Sequence, residues 1–369
     1  MRRKIFYACL VLLLAAGGFL WWWSRPLPVL TVTTWAGTYG RAQAAAQIQP
    51  YGAEKRVNAR IAQWADNGTI AELRRAIASG QAGDVMDLEL PVAVQACYEN
   101  LLEPIDAASL PPGADGTPAA QDFYKGMVGR CFVASAIYGQ MLVCKKPCGS
   151  YNLGGLFFAL ASPPRQPGED APALMGGKIA LQRGAKINLE MALLADGALP
   201  GEIYDLLATP AGVNRAFAKL DTIRHNIIWW TNPADPIRML RSGEVQIATA
   251  LTAEVQAATS QGDIAMQRGQ FYEADVLAIP RGTPRKEMAL DYLHYATGSA
   301  PLAGMTRFAP YLPPRRSALA LVQQLPPSPT RDFVLSHRAL MADAFAIDDA
   351  WWRVHGEALE SRFRSWAAG

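Results

Sequence analysis

Charge and histidine are both scarce in this chain. Only 18% of its 369 residues are Asp, Glu, Lys or Arg, and there are four histidines. His225, His294, His337 and His355 are scattered, with neither an H-x3-H pair nor an H-E-x-x-H stretch, so the usual zinc-hydrolase spacing is missing. There is also no G-x-S-x-G elbow, no phosphate-cradling P-loop and no Rossmann glycine fingerprint. Scattered acids could form a glycosidase-like pair, but their spacing does not show one. No enzyme, cofactor or metal site is therefore expected. The basic excess is equally thin. Setting aside Arg2, Arg3, Lys4 and Arg25 in the N-terminal segment turns the formal +3 into −1, against 32 acids. A near-neutral body has no electrostatic footprint for nucleic acid.

Long apolar runs are missing too, with one exception. Arg2, Arg3 and Lys4 precede the apolar stretch from Ile5 to Trp23, which is close to the roughly 20 residues that span a bilayer as a helix. The tryptophans at 21–23 suit a membrane interface. No small-x-small cleavage site follows, and Cys9 lies too early for a lipoprotein cysteine. Residues 1–25 read as a signal peptide or an uncleaved anchor, the anchor being preferred, and either form exports the body. Cysteine is sparse, with five in all. Outside the leader, Cys97, Cys131, Cys144 and Cys148 make an even set, which in an exported chain implies two disulfides with three possible connectivities. Cys97–Cys131 with Cys144–Cys148 is favoured. The C-x3-C pair has no nearby His to suggest zinc.

The body alternates strand and helix. Leu30–Thr34, Val57–Trp64 and Asp84–Leu90 read as strands, followed in turn by helices over Gly40–Gln49, Ile70–Ser79 and Pro91–Leu102. This βαβαβα order implies a mostly parallel sheet covered on both faces. Arg130–Val143 reads as a strand crossing to a second lobe, and Lys145–Gly177 has no convincing period. Strands at Lys178–Leu181, Ile227–Thr231, Val245–Leu251 and Ala274–Ile279 alternate with further helices. A helix opened by Pro233 closes at Gly243, and Asp343–Trp366 reads as a long amphipathic helix. The first strand runs into Trp35, a glycine turn, Tyr39 and a helix. Open α/β sheets bind ligands at such strand ends.

Several separated segments resemble one family. They are TTWAGTYGRAQ (33–43), ALLADGALPGEIYDLL and NRAFAKLD within Leu189–Asp221, and IIWWTNPADPIRMLRSGEVQIATALTAEVQAA (227–258). DVLAIPRGTPRKEMALDYLHYA (275–296) and DDAWWRVHGEALESRFRSW (348–366) complete the set. Their order and spacing are similar to the extracytoplasmic solute-binding proteins of ABC importers, in the spermidine/putrescine-binding branch. The resemblance implies a two-lobe, type II periplasmic-binding-protein-like α/β fold with the ligand in a cleft between the lobes. It also implies hinge closure around a small organic solute in the periplasm, and ABC transporter membrane permease subunits as partners. The expected division puts 28–135 with 275–310 in lobe 1, and 136–274 with 311–369 in lobe 2. A tethered solute sensor or adaptor is the alternative, and a periplasmic enzyme on the same fold a more distant one.

The resemblance points to Trp35 and Tyr39 as a first-lobe pocket wall, where aromatic faces can hold a cation. Trp229 and Trp230 alternate across a strand, and Trp230 is expected to face the cleft while Trp229 packs in core. Asp275 falls where polyamine binders place an amine-holding acid. Glu254 replaces a position at which many relatives carry Arg, and Tyr272 and Glu273 lie close by. These residues suggest a di- or polyamine as the first ligand guess. The Trp-acidic motif expected before Lys178 is missing; Glu169 and Asp170 are the nearest acids to stand in for it.

Overall fold

The computed structural model describes residues 26–65, 68–162, 175–267, 270–340 and 344–368. The N-terminal segment, and with it the anchor expectation, lies outside these residues, as do Glu169 and Asp170. Among the described residues no helix is long and apolar enough to cross a membrane.

Among the described residues ten strands follow in chain order: β1 (Val29–Thr34), β2 (Asn58–Gln63), β3 (Val85–Glu89), β4 (Phe132–Lys145), β5 (Ile179–Gln182), β6 (Ile227–Trp230), β7 (Ile247–Leu251), β8 (Ile264–Met266), β9 (Phe271–Ala278) and β10 (Phe345–Ala346). β1 pairs in parallel with β2 and β3, and β5 pairs in parallel with β6 and β7. Between these two groups run the long strands β4 and β9, antiparallel to each other and to their outer neighbours β7 and β3. The two parallel groups are those expected from the strand–helix alternation, since parallel pairs need a crossover helix.

Local chemistry sets the helix ends. Thr69 caps Ile70–Ala78 by accepting from Glu72 N at 3.2 Å, and Glu72 reaches back to Gly68 N at 2.9 Å. Gly243 closes Asp235–Ser242 in the left-handed conformation that glycine adopts without strain. The first helix outruns its expected end. Gly37–Gln43 continues through a π-helical segment, Ala44–Ile48, into Gln49–Lys55, whose second residue is Pro50. The stretch without a readable period contains a helix, Leu153–Ala161, capped by Asn152 Oδ1 on Gly155 N at 2.7 Å.

Burial separates the lobes. Leu30, Val32, Val85, Met86, Val133, Ile137 and Val276 belong to a first core. In the second lobe, Leu142, Cys144, Ile179, Leu181 and Ile247 pack on one sheet face, and Met141, Val143, Ala180, Ala248 and Ala250 on the other. This is the two-sided burial of a parallel sheet. Leu312, Ala318, Leu319, Val322 and Val334 also join the first core, whereas the sequence division placed 311–369 with lobe 2. Buried Arg315 holds them there through Asp122 at 2.7 Å and the carbonyls of Thr297 and Pro111 at 3.0 and 2.8 Å. The C-terminal helix Asp349–Ala368 packs on the second core through Trp352, Leu359 and Phe363.

Cys97 bonds to Cys131 and Cys144 to Cys148, the favoured connectivity, with Cα separations of 5.7 and 6.3 Å. At the crossing, Gly139 opposes Tyr272, and a Cβ there would stand 2.0 Å from Phe271 O. Only glycine admits so close a strand approach.

Candidate ligand-binding cleft

A cavity of about 280 Å³ opens between the two cores. The first lobe contributes Trp35, Tyr39, Glu89, Asp275 and Tyr311, the second contributes Leu251, Thr252, Ala253 and Glu254, and Tyr138 stands on the crossing strand. The register explains why these side chains meet. Glu89 at the carboxyl end of β3 lies opposite Asp275 on β9, and Glu273 lies opposite Tyr138 on β4. Because side chains alternate, Asp87, Glu89, Glu273 and Asp275 share one face of adjacent strands. Four carboxyl groups thus share this sheet face, and two of them, Glu89 and Asp275, line the cavity.

Asp275 is only 7% exposed, and its carboxylate has no hydrogen bond or salt bridge among the described residues. Burial raises its pKa well above the usual carboxylate range, and Asp87, Glu89 and Glu273 add to the shift. Glu254 sits in the first turn of Thr252–Thr259; burial raises it as well, and its Oε2 is buried without a partner. Glu89 lies open at the rim, where reduced solvation and then Glu273 push its carboxyl up while Lys186 opposes them. Tyr39 meets Tyr311 edge-on, with ring centroids 5.3 Å apart.

Lys186 reaches this face. It pairs with Glu273 and, at 3.0 Å, with Asp349 Oδ1. Burial disfavours its charge, yet Glu273 and then Asp349 raise its pKa overall. The turn that presents it is strained, because Ile187 has φ +72°, an outlying conformation for a β-branched residue. Asn188 Nδ2 donates to Gln182 O and Gly184 O at 2.8 and 2.7 Å, and Glu360 Oε1 accepts from Ala185 N at 2.8 Å. These bonds fix the strained turn.

Of the residues singled out from sequence, Trp35, Tyr39, Glu254 and Asp275 line the cavity together. Trp230 does not. It is 1% exposed in the second core and donates to Thr249 Oγ1 at 3.2 Å, because β6 is an edge strand remote from the crossing. Trp229 packs against Phe363 and Trp366. Tyr272 alternates away from Asp275, packs beside the first core, and also lies outside the cavity. Sequence reasoning missed Asp87, Glu89, Tyr138, Lys186 and Tyr311. Two acids at i and i+2 near the carboxyl end of a strand were a readable signal for the first two; Lys186 and Tyr311 come from turns with no pattern.

Two α/β lobes joined by crossing strands, with a cavity at the join, define a hinged solute receptor. Residues 46–331 match the family described as bacterial extracellular solute-binding protein, and the chain belongs to it. It is therefore a binding protein of the ABC-importer class, working outside the cytoplasm, rather than an enzyme. A gamma-aminobutyric acid-binding protein of Pseudomonas aeruginosa is 31% identical over 344 residues, covering 92% of this chain and 91% of that protein. Among solved structures, a GABA receptor superposes with a TM-score of 0.71 at 23% identity, covering 92% of this chain and 97% of its own. The spermidine/putrescine transporter substrate-binding protein of Streptococcus pneumoniae gives 0.67 at 13% identity, covering 92% and 99%.

Proposed function

We propose that this receptor captures a small solute through its ammonium groups, with a di- or polyamine as the first ligand and GABA as the second reading. One observation carries the first. Glu89, Glu254 and Asp275 face the cavity, and its described lining contains no Lys or Arg. Asp275 and Glu254 Oε2 are unpartnered acceptors from opposite lobes, so each could receive an ammonium by a charge-assisted hydrogen bond. The faces of Trp35, Tyr39 and Tyr311 suit the methylene chain between them and add cation–π attraction. Bridging acids of two lobes with one dication favours the closed form, because the ligand then binds closed better than open. The GABA reading is supported by the name of the Pseudomonas relative. It would leave the ligand's carboxylate to a hydroxyl donor such as Tyr138.

Calorimetry of the purified body with 1,4-diaminobutane and with GABA separates the two. Under the amine reading the diamine binds more tightly, and Asp275→Asn costs about 2–5 kcal/mol, roughly 30-fold or more in Kd. Binding of GABA alone, or unchanged affinity in Asp275→Asn, refutes it.

A further inference from the structure

We propose that Asp87, which does not line the cavity, is the positioning residue that fixes the aromatic wall of the cleft. The proposal rests on the cavity being the ligand site. Asp87 lies on β3 with no solvent exposure. Its Oδ1 accepts from Trp35 Nε1 at 3.1 Å. Its Oδ2 accepts from Tyr39 OH at 2.9 Å, from Ser135 Oγ at 3.2 Å and from Gln43 Nε2. Its backbone carbonyl accepts from Trp64 Nε1 at 2.7 Å. One residue therefore gathers donors from the end of β1, the first helix, the crossing strand β4 and the segment after β2.

An ionised carboxylate accepts only, and an indole offers a single donor. Rotating Trp35 off the wall removes the donor that Asp87 Oδ1 accepts from, leaving a buried acceptor short of a partner, and rotating Tyr39 removes one of three donors to Oδ2. The two rings lining the cavity are thus held from behind by one group. Gln43 shows how strongly that group orders its surroundings. Its amide turns the NH2 toward Asp87 although its own Oε1 is left buried without a partner. An apolar residue would fill the same strand position without the cost of burying a carboxyl, so packing alone gives no reason for an acid here.

The test uses the purified chain labelled with fluorotryptophan, with the Trp35 fluorine resonance assigned through Trp35→Phe and 1,4-diaminobutane as the calorimetric probe. Asp87→Ala is expected to move or broaden the Trp35 resonance in the unliganded protein and to weaken diamine binding by about 10-fold or more. Asp87→Asn keeps one carbonyl acceptor and is expected to return the resonance toward its native position. If Asp87→Ala does not fold, Tyr39→Phe removes the hydroxyl tie while keeping the ring, with an expected loss of about 3- to 10-fold. An unmoved Trp35 resonance in Asp87→Ala overturns the proposal, even if affinity falls. Native-like affinity in every foldable variant overturns it as well. Should the native protein bind no diamine, the ligand reading fails instead, and the unliganded Trp35 resonance still decides the role of Asp87.

Discussion

Lys186→Met is the most informative single change, because it removes one charge and leaves two acids facing each other. In the native protein Lys186 pairs with Glu273 and Asp349, whose side chains are 14% and 1% exposed. Breaking a buried ion pair by deleting one partner costs about 3–5 kcal/mol, since the remaining charge is buried without compensation. For a chain of this size that corresponds to a fall in Tm of roughly 4–7 °C at pH 8. The pH dependence carries the sharper test. Asp349 is already raised from 3.8 to about 6, chiefly by burial, even with the lysine beside it. A raised folded-state value means stability that is full below pH 3.8 and is lost as the pH climbs through 6. Without Lys186 that value climbs further, so the deficit grows toward alkaline pH and shrinks toward pH 5, where Asp349 takes up a proton. Chemical denaturation of both proteins at several pH values between 5 and 8 measures it. A deficit that stays constant across that range, or a variant as stable as the parent at pH 8, refutes the charge assignment.

Glu190→Gln should flatten the parent's loss of stability between pH 4.5 and 7. Burial raises Glu190 from 4.5 to about 7, so denaturation curves should lose a slope worth on the order of 3 kcal/mol over that window. Separating Cys97 from Cys131 opens a 34-residue loop and should cost about 4 kcal/mol, against about 2 kcal/mol for the separation of 4 between Cys144 and Cys148. Paired Cys→Ser variants compared in denaturant check that order. Gly139→Ala should force β4 and β9 apart at the crossing, costing about 1–3 kcal/mol, and should also change the scattering difference between free and liganded protein. An unchanged midpoint would show that the strands have room.

The alternation of strands and helices, the crossing at β4 and the presence of two disulfides were legible because they rest on local periodicity and cysteine parity. That Trp35, Tyr39 and Asp275 would lie together was legible through their places in recognisable segments. Trp230 misled because both members of an aromatic pair on a short edge strand can be buried when helices cover both faces. Tyr272 misled because a one-residue offset in a strand reverses the face. Asp87 escaped notice because its significance lies in five donors from four separate segments, and no linear spacing records that convergence. The placement of 312–334 depended on the buried Arg315–Asp122 pair, whose members stand 193 residues apart.

β9 passes from the second core at Phe271 to the first at Ala274 through Ala278, and Glu273 and Asp275 sit on that passage. The acids nearest the fulcrum sweep the shortest arc when the lobes swing, while Glu254, farther out on a second-lobe helix, sweeps a longer one. Under the amine reading, an ammonium group would dock on Asp275 with the jaws apart and meet Glu254 only as they come together, which would separate capture from commitment in time.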